Sequence, residues 1–199
     1  FVDYAHTPDA LESILMTLKQ RAPKRIITIF GCGGDRDRSK RPLMGQVACK
    51  NSHIAIVSSD NPRTEHPDSI IKDILKGLDG FHRLSEKNLL LHPFKKGYLV
   101  EGDRKKALKK AVFISKPGDI IVAAGKGHET YQITNAGTIH FDDKEELTKT
   151  AIEFANQFKP IPWKTDDLTK ALETDPIFST IQKDYNFTGI CTDSRTILE

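Results

Sequence analysis

Three short runs of β-branched and aliphatic residues constrain this chain more than anything else in it. They are residues 25–30 (RIITIF), 53–57 (HIAIV) and 119–123 (DIIVA). None alternates apolar with polar residues, so each reads as a strand covered on both faces. Apolar residues at helical spacing fill the intervals: Leu11, Ile14, Leu15 and Leu18 behind Pro8, then Leu43, Met44, Val47 and Ala48 behind Pro42, then Ile70, Ile71, Ile74 and Leu75 behind Pro67. Proline fits the first turn of a helix, where its missing N–H is not needed. Buried strands alternating with helices predict a Rossmann-like α/β fold, with a mostly parallel sheet and helices on both faces. Weaker strand signals stand at residues 1–4 and 98–100, and helical patterns at 104–115 and 142–158. Two β-prone stretches around Asn135-Ala136-Gly137 predict a hairpin, expected as an antiparallel edge of the sheet. Residues 79–97 read as irregular, and the Leu89-Leu90-Leu91 run has no obvious place.

Composition narrows the class. With 38% hydrophobic and 29% charged residues, the chain can build a core and is not of the disordered type. Lys and Arg number 30 against 27 Asp and Glu, a balance that does not ask for a nucleic-acid partner. The basic stretch of Lys95, Lys96, Arg104, Lys105, Lys106, Lys109 and Lys110 lacks aromatic interleaving and reads as a solvated helix face. No apolar run reaches the roughly 18 residues of a membrane span, so no membrane partner is expected. Three cysteines without CxxC spacing argue against both a disulfide framework and a zinc site, and a reducing, cytoplasmic setting is expected. The first residue is Phe1, and the sequence opens as though cut from something longer. After Lys159 the character changes at Pro160, Pro162 and Trp163. Two regions are expected: a domain at 1–159, and a segment at 160–199 too short to bury a core alone.

Ligands of parallel α/β sheets bind beyond the carboxyl ends of the strands. Four polar segments follow strand signals, so topology should gather them on one rim. Residues 31–41 carry three glycines and four cations, Arg36, Arg38, Lys40 and Arg41, against two acids, ahead of a helix start. That pattern suits a phosphate or carboxylate, and equally a glycine turn with a solvated charge run. In residues 58–67, Pro62 stiffens Asn61, Arg63 can grip a carboxylate in two parallel hydrogen bonds, and Asp60 can receive an ammonium. An Asx-Pro turn with a surface ion pair would look the same. Gly125 and Gly127 permit close backbone approach, and Glu129 adds an acceptor beside His128. Asp3 can meet ribose hydroxyls and His6 or Tyr4 a base, unless Thr7 or Asp9 simply caps a helix. No GxxxxGK(S/T) phosphate loop occurs in the 199 residues.

Taken together, the segments DYAHTPDAL (3–11), FGCGGDRDRSKRPLMG (30–45), SDNPRTEHP (59–67) and AGKGHETYQ (124–132) resemble the carboxy-terminal domain of the Mur ligases. The likeness is strongest to the type that adds the third residue of the peptidoglycan stem peptide. The resemblance implies an ATP-dependent amide ligase. It would activate the carboxylate of a UDP-N-acetylmuramoyl dipeptide as an acyl phosphate, which the amino group of an amino acid attacks. The intact Asp60-Asn61-Pro62-Arg63 implies meso-diaminopimelate, held by Arg36, Asp60, Asn61, Pro62, Arg63, Gly125 and Glu129. Arg63 is expected on the distal carboxylate, and Asp60 with Glu129 on the distal ammonium. Asp3, His6 and Lys40 would face ATP. The resemblance assigns no catalytic residue or metal ligand to this stretch, because the phosphate loop and most Mg²⁺ contacts of the family belong to a central domain. On this reading the 199 residues alone would not turn over. Gly189-Ile190-Cys191-Thr192-Asp193-Ser194-Arg195 resembles the sugar-binding start of a Mur ligase that adds D-alanyl-D-alanine, implying a fusion of two ligases. The alternatives are a stand-alone anion or amino-acid binding module, and a lysine-adding or folylpolyglutamate-type ligase.

Overall fold

The computed structural model describes residues 1–92 and 94–157. The break at Pro160, the weak helical pattern near Leu168 and the Gly189–Arg195 stretch fall outside the described residues. By its packing the chain divides into Phe1–Phe154 and Ala155–Glu199, and both cores and the site lie within the first.

Five parallel strands form the sheet in the order β1 (Val2–Asp3), β5 (Ile120–Ala124), β2 (Ile26–Phe30), β3 (Ile54–Val57) and β4 (Gly97–Val100). Successive strand residues point to opposite faces, so each strand feeds two cores. Ile26 and Phe30 of β2 join Leu11, Leu15 and Leu18 of α1 (Pro8–Lys19), Met44 and Ala48 of α2 (Lys40–Asn51), and Ile70 and Ile74 of α3 (Pro67–Leu75). Ile27 and Ile29 join Ala107, Leu108 and Ala111 of α5 (Arg104–Ile114), with Leu147 of α6 (Asp143–Gln157) against them. Three helices thus cover one face, and α5 and α6 the other. Thr7 closes the start of α1 by accepting from the Ala10 N–H at 3.3 Å.

The stretch 79–97, expected to be irregular, holds a short helix, α4 (Glu86–Leu91). Ser85 and Asn88 form a reciprocal capping box, each side chain accepting from the other's backbone N–H. Leu89 enters the second core, which gives the leucine run its purpose. Six residues are too few for a helical period to show, and asparagine stands where the usual box has Glu or Gln.

The hairpin forms where predicted, from β6 (Tyr131–Thr134) and β7 (Gly137–His140), but as a two-stranded sheet of its own and not as an edge of the main one. The reason lies in its outer hydrogen bonds. The Ile133 N–H donates to Asn61 Oδ1 at 3.0 Å, and the Ile133 carbonyl accepts from the Arg63 N–H at 3.0 Å. The free edge of β6 is spent on the loop after β3.

Candidate functional site

Strands β1, β5, β2 and β3 are neighbours, so the loops at their carboxyl ends meet. They enclose a cavity of about 250 Å³ lined by Tyr4 and His6 after β1, Gly31, Cys32, Gly33, Arg36 and Lys40 after β2, Asp60, Asn61 and Arg63 after β3, and Gly125 and Glu129 after β5. Eight of the ten residues singled out from sequence therefore share one cavity. Asp3 and Pro62 do not line it. Asp3 sits just behind, where one oxygen accepts from the Ala5 N–H at 2.8 Å. Pro62 is buried and acts as a spacer: a Cβ on Gly34 would lie 1.9 Å from the Pro62 carbonyl oxygen, so only glycine lets these two loops approach.

The loops after β2 and β3 are joined by a set of hydrogen bonds. The Gly34 N–H donates to the Asn61 carbonyl at 2.9 Å, and the Asp35 N–H to Glu65 Oε1 at 2.7 Å. The Asp35 carboxylate accepts from the backbone and hydroxyl of Thr64. Those two bonds hold the Asp35 carboxyl below the usual carboxylate range, the hydroxyl contributing most. Asp35 and Arg63 both have φ near +50°, a left-handed conformation costly for residues with a Cβ. The surrounding bonds hold it in place.

The four cations of the first loop separate into distinct roles. Arg41, expected to help attract an anion, is completely buried. It donates to both oxygens of Glu65, to Asp73 at 3.0 Å and to the Gly33 carbonyl at 3.3 Å. These bonds hold the Glu65 carboxyl at about 2. Arg38 also pairs with Glu65, at 3.1 Å. Lys40 Nζ donates to the His6 carbonyl at 2.9 Å and so ties the loop after β2 to the loop after β1. Arg36 is exposed, and no partner for its guanidinium stands among the described residues. It remains the loop's open cation toward the cavity.

Carboxylates line the same cavity. Asp60 is buried, and its Oδ1 has no hydrogen-bond partner. Burial pushes its carboxyl above the ordinary range, while Arg104 and Lys126 pull the other way. Glu129 Oε2 accepts from Asn61 Nδ2 at 2.9 Å and Lys126 Nζ at 3.3 Å. Arg63 commits Nη1 to the Gly34 carbonyl at 2.8 Å and leaves Nε and Nη2 without a described partner. Cys32 contributes an inert wall, since burial pushes its thiol up to about 12. Tyr4, His6 and His128 form a ring cluster at the rim, with centroids 4.7 Å and 5.6 Å from Tyr4. Gly127 permits that cluster: its φ is +54°, and a Cβ there would meet Tyr4 at 2.7 Å.

Two supports escaped the sequence reading. Lys126 looked like one residue of a short glycine motif, yet it is fully buried. Arg104, assigned to a solvated basic face, is buried as well. Its guanidinium binds both oxygens of Asp143 at 2.8 Å and 2.6 Å, together with the Ala124 and Ser59 carbonyls. It thereby clamps the ends of β3 and β5 beneath the cavity. A lone arginine among lysines at a helix start was the available signal.

Residues 1–127 match the model of one protein family, described as Mur ligase, glutamate ligase domain. The chain belongs to this family. Three of the four loop segments lie inside the matched stretch, and the fourth crosses its end. A UDP-N-acetylmuramoyl-L-alanyl-D-glutamate–2,6-diaminopimelate ligase of Clostridioides difficile (strain 630) is 51% identical over 144 residues, which are 72% of this chain and 27% of that one. The protein of the same name from Geobacter metallireducens is 46% identical over 158 residues, 78% of this chain and 31% of its own. A solved structure of a ligase with that name superposes with a TM-score of 0.67 at 42% identity, covering 77% of this chain and 29% of the other. The chain thus spans less than a third of the length of these Mur ligases.

Proposed function

We propose that this domain is the amino-acid-binding part of an ATP-dependent ligase that adds meso-diaminopimelate to UDP-N-acetylmuramoyl-L-alanyl-D-glutamate in peptidoglycan synthesis. One observation carries the reading. A single cavity holds open guanidinium groups, Arg36 and Arg63, together with a buried carboxylate oxygen of Asp60 that has no partner. A zwitterion with carboxylates and ammoniums in one small molecule satisfies both sets of groups. Arg63 takes the distal carboxylate through its free N–H groups, Asp60 and Glu129 take the distal ammonium, and Asn61 and Gly125 shape the floor. The names of the relatives support the same substrate. The DNPR segment and the GGDRDRSKRP loop favour this reading over the lysine-adding and folylpolyglutamate-type alternatives.

ATP fits the β1 side of the cavity. The tilted Tyr4, His6 and His128 rings offer an aromatic face to a base, Asp3 keeps one oxygen for a ribose hydroxyl, and Lys40 lines the cavity beside His6. ATP supplies the phosphoryl group that activates the acceptor carboxylate, and this domain's residues hold the incoming amine in line with it. Among the described residues no group of three His, Cys, Asp or Glu gathers as a metal site. Mg²⁺ is proposed to be held mostly by the central domain of the parent ligase, as the family resemblance implies. Among the described residues no helix is long and apolar enough to cross a membrane. The proposed substrates place the enzyme in the cytoplasm. Residues 160–199, with Thr192-Asp193-Ser194-Arg195, are proposed as the beginning of a second ligase's sugar-binding domain.

The test is Arg63→Ala in the full-length ligase. It strands a charged substrate group and leaves the Gly34 carbonyl bond unmade, so KM for meso-diaminopimelate rises by about a hundredfold. KM for ATP moves little. Unchanged amino-acid kinetics would remove Arg63 from the site.

A further inference from the structure

Lys126 is a fully enclosed cation beside the cavity, which the proposed substrate contacts leave without a task. Its side chain is completely buried. Its ammonium donates to the Tyr131 carbonyl, to Glu129 Oε2 at 3.3 Å and to Asn61 Oδ1 at 3.4 Å. An ammonium has three donors, and these three acceptors use them. Asp60 Oδ1 stands 4.0 Å from the same nitrogen and keeps no hydrogen bond. Charge bookkeeping then singles out Asp60. Asp60 and Glu129 bring two negative charges, Lys126 brings one positive, and the Arg104–Asp143 pair cancels internally. The wall is left one cation short, at the unpartnered oxygen.

We propose that Lys126 is a positioning residue that ties Glu129, Asn61 and the hairpin together and offsets one of the two carboxylates, so that the wall accepts a single ammonium at Asp60. This deepens the substrate reading above and rests on it. It also explains why a fully buried lysine stands beside an amine-binding site: without it, two carboxylates would face each other in a desolvated pocket and one would take a proton. The charged groups facing Asp60 are Lys126 and Glu129 from the β5–β6 loop, Arg104 from the start of α5 and Asp143 from the start of α6. Removing Lys126 leaves Arg104 alone against Glu129 and Asp143.

The experiment uses the full-length ligase carrying Lys126→Gln, which keeps N–H donors for Tyr131 and Asn61 while losing the charge. At pH below the wild-type acidic limb, KM for meso-diaminopimelate rises about tenfold with kcat within about twofold. The acidic limb of kcat/KM moves up by about one pH unit, and the deficit closes as pH rises. A purely structural role would give a deficit that does not depend on pH. A KM that is unchanged, or raised by one factor at every pH, overturns the proposal. The Lys126→Gln/Glu129→Gln double variant buries fewer charges and is read if the single variant does not fold. An acidic limb at the wild-type pH supports the charge argument, and a limb still displaced by one unit overturns it. A wild-type enzyme with no activity toward meso-diaminopimelate would overturn the substrate reading and the proposal together. An active wild type with an unaltered variant overturns the proposal alone.

Discussion

Arg104 and Asp143 are each fully buried and bonded through two N–H···O contacts. Cutting one member of such a pair leaves an uncompensated charge in a dry interior. Asp143→Ala should therefore destabilise the domain by about 3–5 kcal/mol, a fall of roughly 10 °C in the thermal midpoint. Calorimetry of the two proteins measures it directly. His53 makes a different statement. Its Nδ1 accepts from the Ile26 N–H at 3.1 Å, which requires the neutral ring, and burial, Lys96 and Arg25 hold its pKa below the ordinary 6.5. A lowered folded pKa means that the unfolded chain binds the proton more readily. The stabilisation is thus complete above about pH 6.5 and is lost as pH falls through the folded value. Chemical denaturation at pH 7 and pH 5 should show that loss, and His53→Gln should flatten the slope between them. The charges of the first loop show where sequence reading runs out at this scale. Arg36 and Arg41 are five residues apart in one basic run. One faces the cavity and the other is buried because Glu65 and Asp73 converge on it from the next loop and helix. Only the fold brings those acids there.

At the scale of elements, the hairpin is the part whose role differs most from its appearance. β7 is exposed throughout, and β6 contributes little to either core. Its work is done by its outer edge, where Ile133 meets Asn61 and Arg63, and Gln132 Nε2 meets the Asp60 carbonyl at 2.5 Å. Ile133→Pro removes the N–H that orients Asn61. Global stability should fall by only about 1 kcal/mol while KM for the amino acid rises several-fold, a split that unfolding curves and kinetics together would reveal. The strand–helix alternation was legible because fully buried strands are continuous apolar runs and long helices show a period. The hairpin was legible from its turn. Its docking was not, because the contacts run from main chain and amide groups to a loop some seventy residues away. Helix α4 was missed for lack of length, and its capping box was the one local sign.

The whole molecule gathers four loops because the sheet order puts β1, β5, β2 and β3 side by side. The gathering itself could be foreseen from parallel topology alone, and eight residues named from the sequence do line one cavity. The buried supports beneath it, Lys126 and Arg104, could not be separated from surface lysines and arginines without knowing which way the chain turns. The cavity's cations, Arg36 and Arg63, and its carboxylates, Asp60 and Glu129, match a substrate that carries both signs at each end. L-Lysine lacks the distal carboxylate and would leave Arg63 unpaired, which a site built for that contact should reject. The most direct measurement is amino-acid-dependent ADP release by the full-length ligase on UDP-N-acetylmuramoyl-L-alanyl-D-glutamate, comparing meso-diaminopimelate with L-lysine. The account predicts that kcat/KM for meso-diaminopimelate exceeds that for lysine by about a hundredfold or more. Efficient incorporation of lysine with none of meso-diaminopimelate would contradict it.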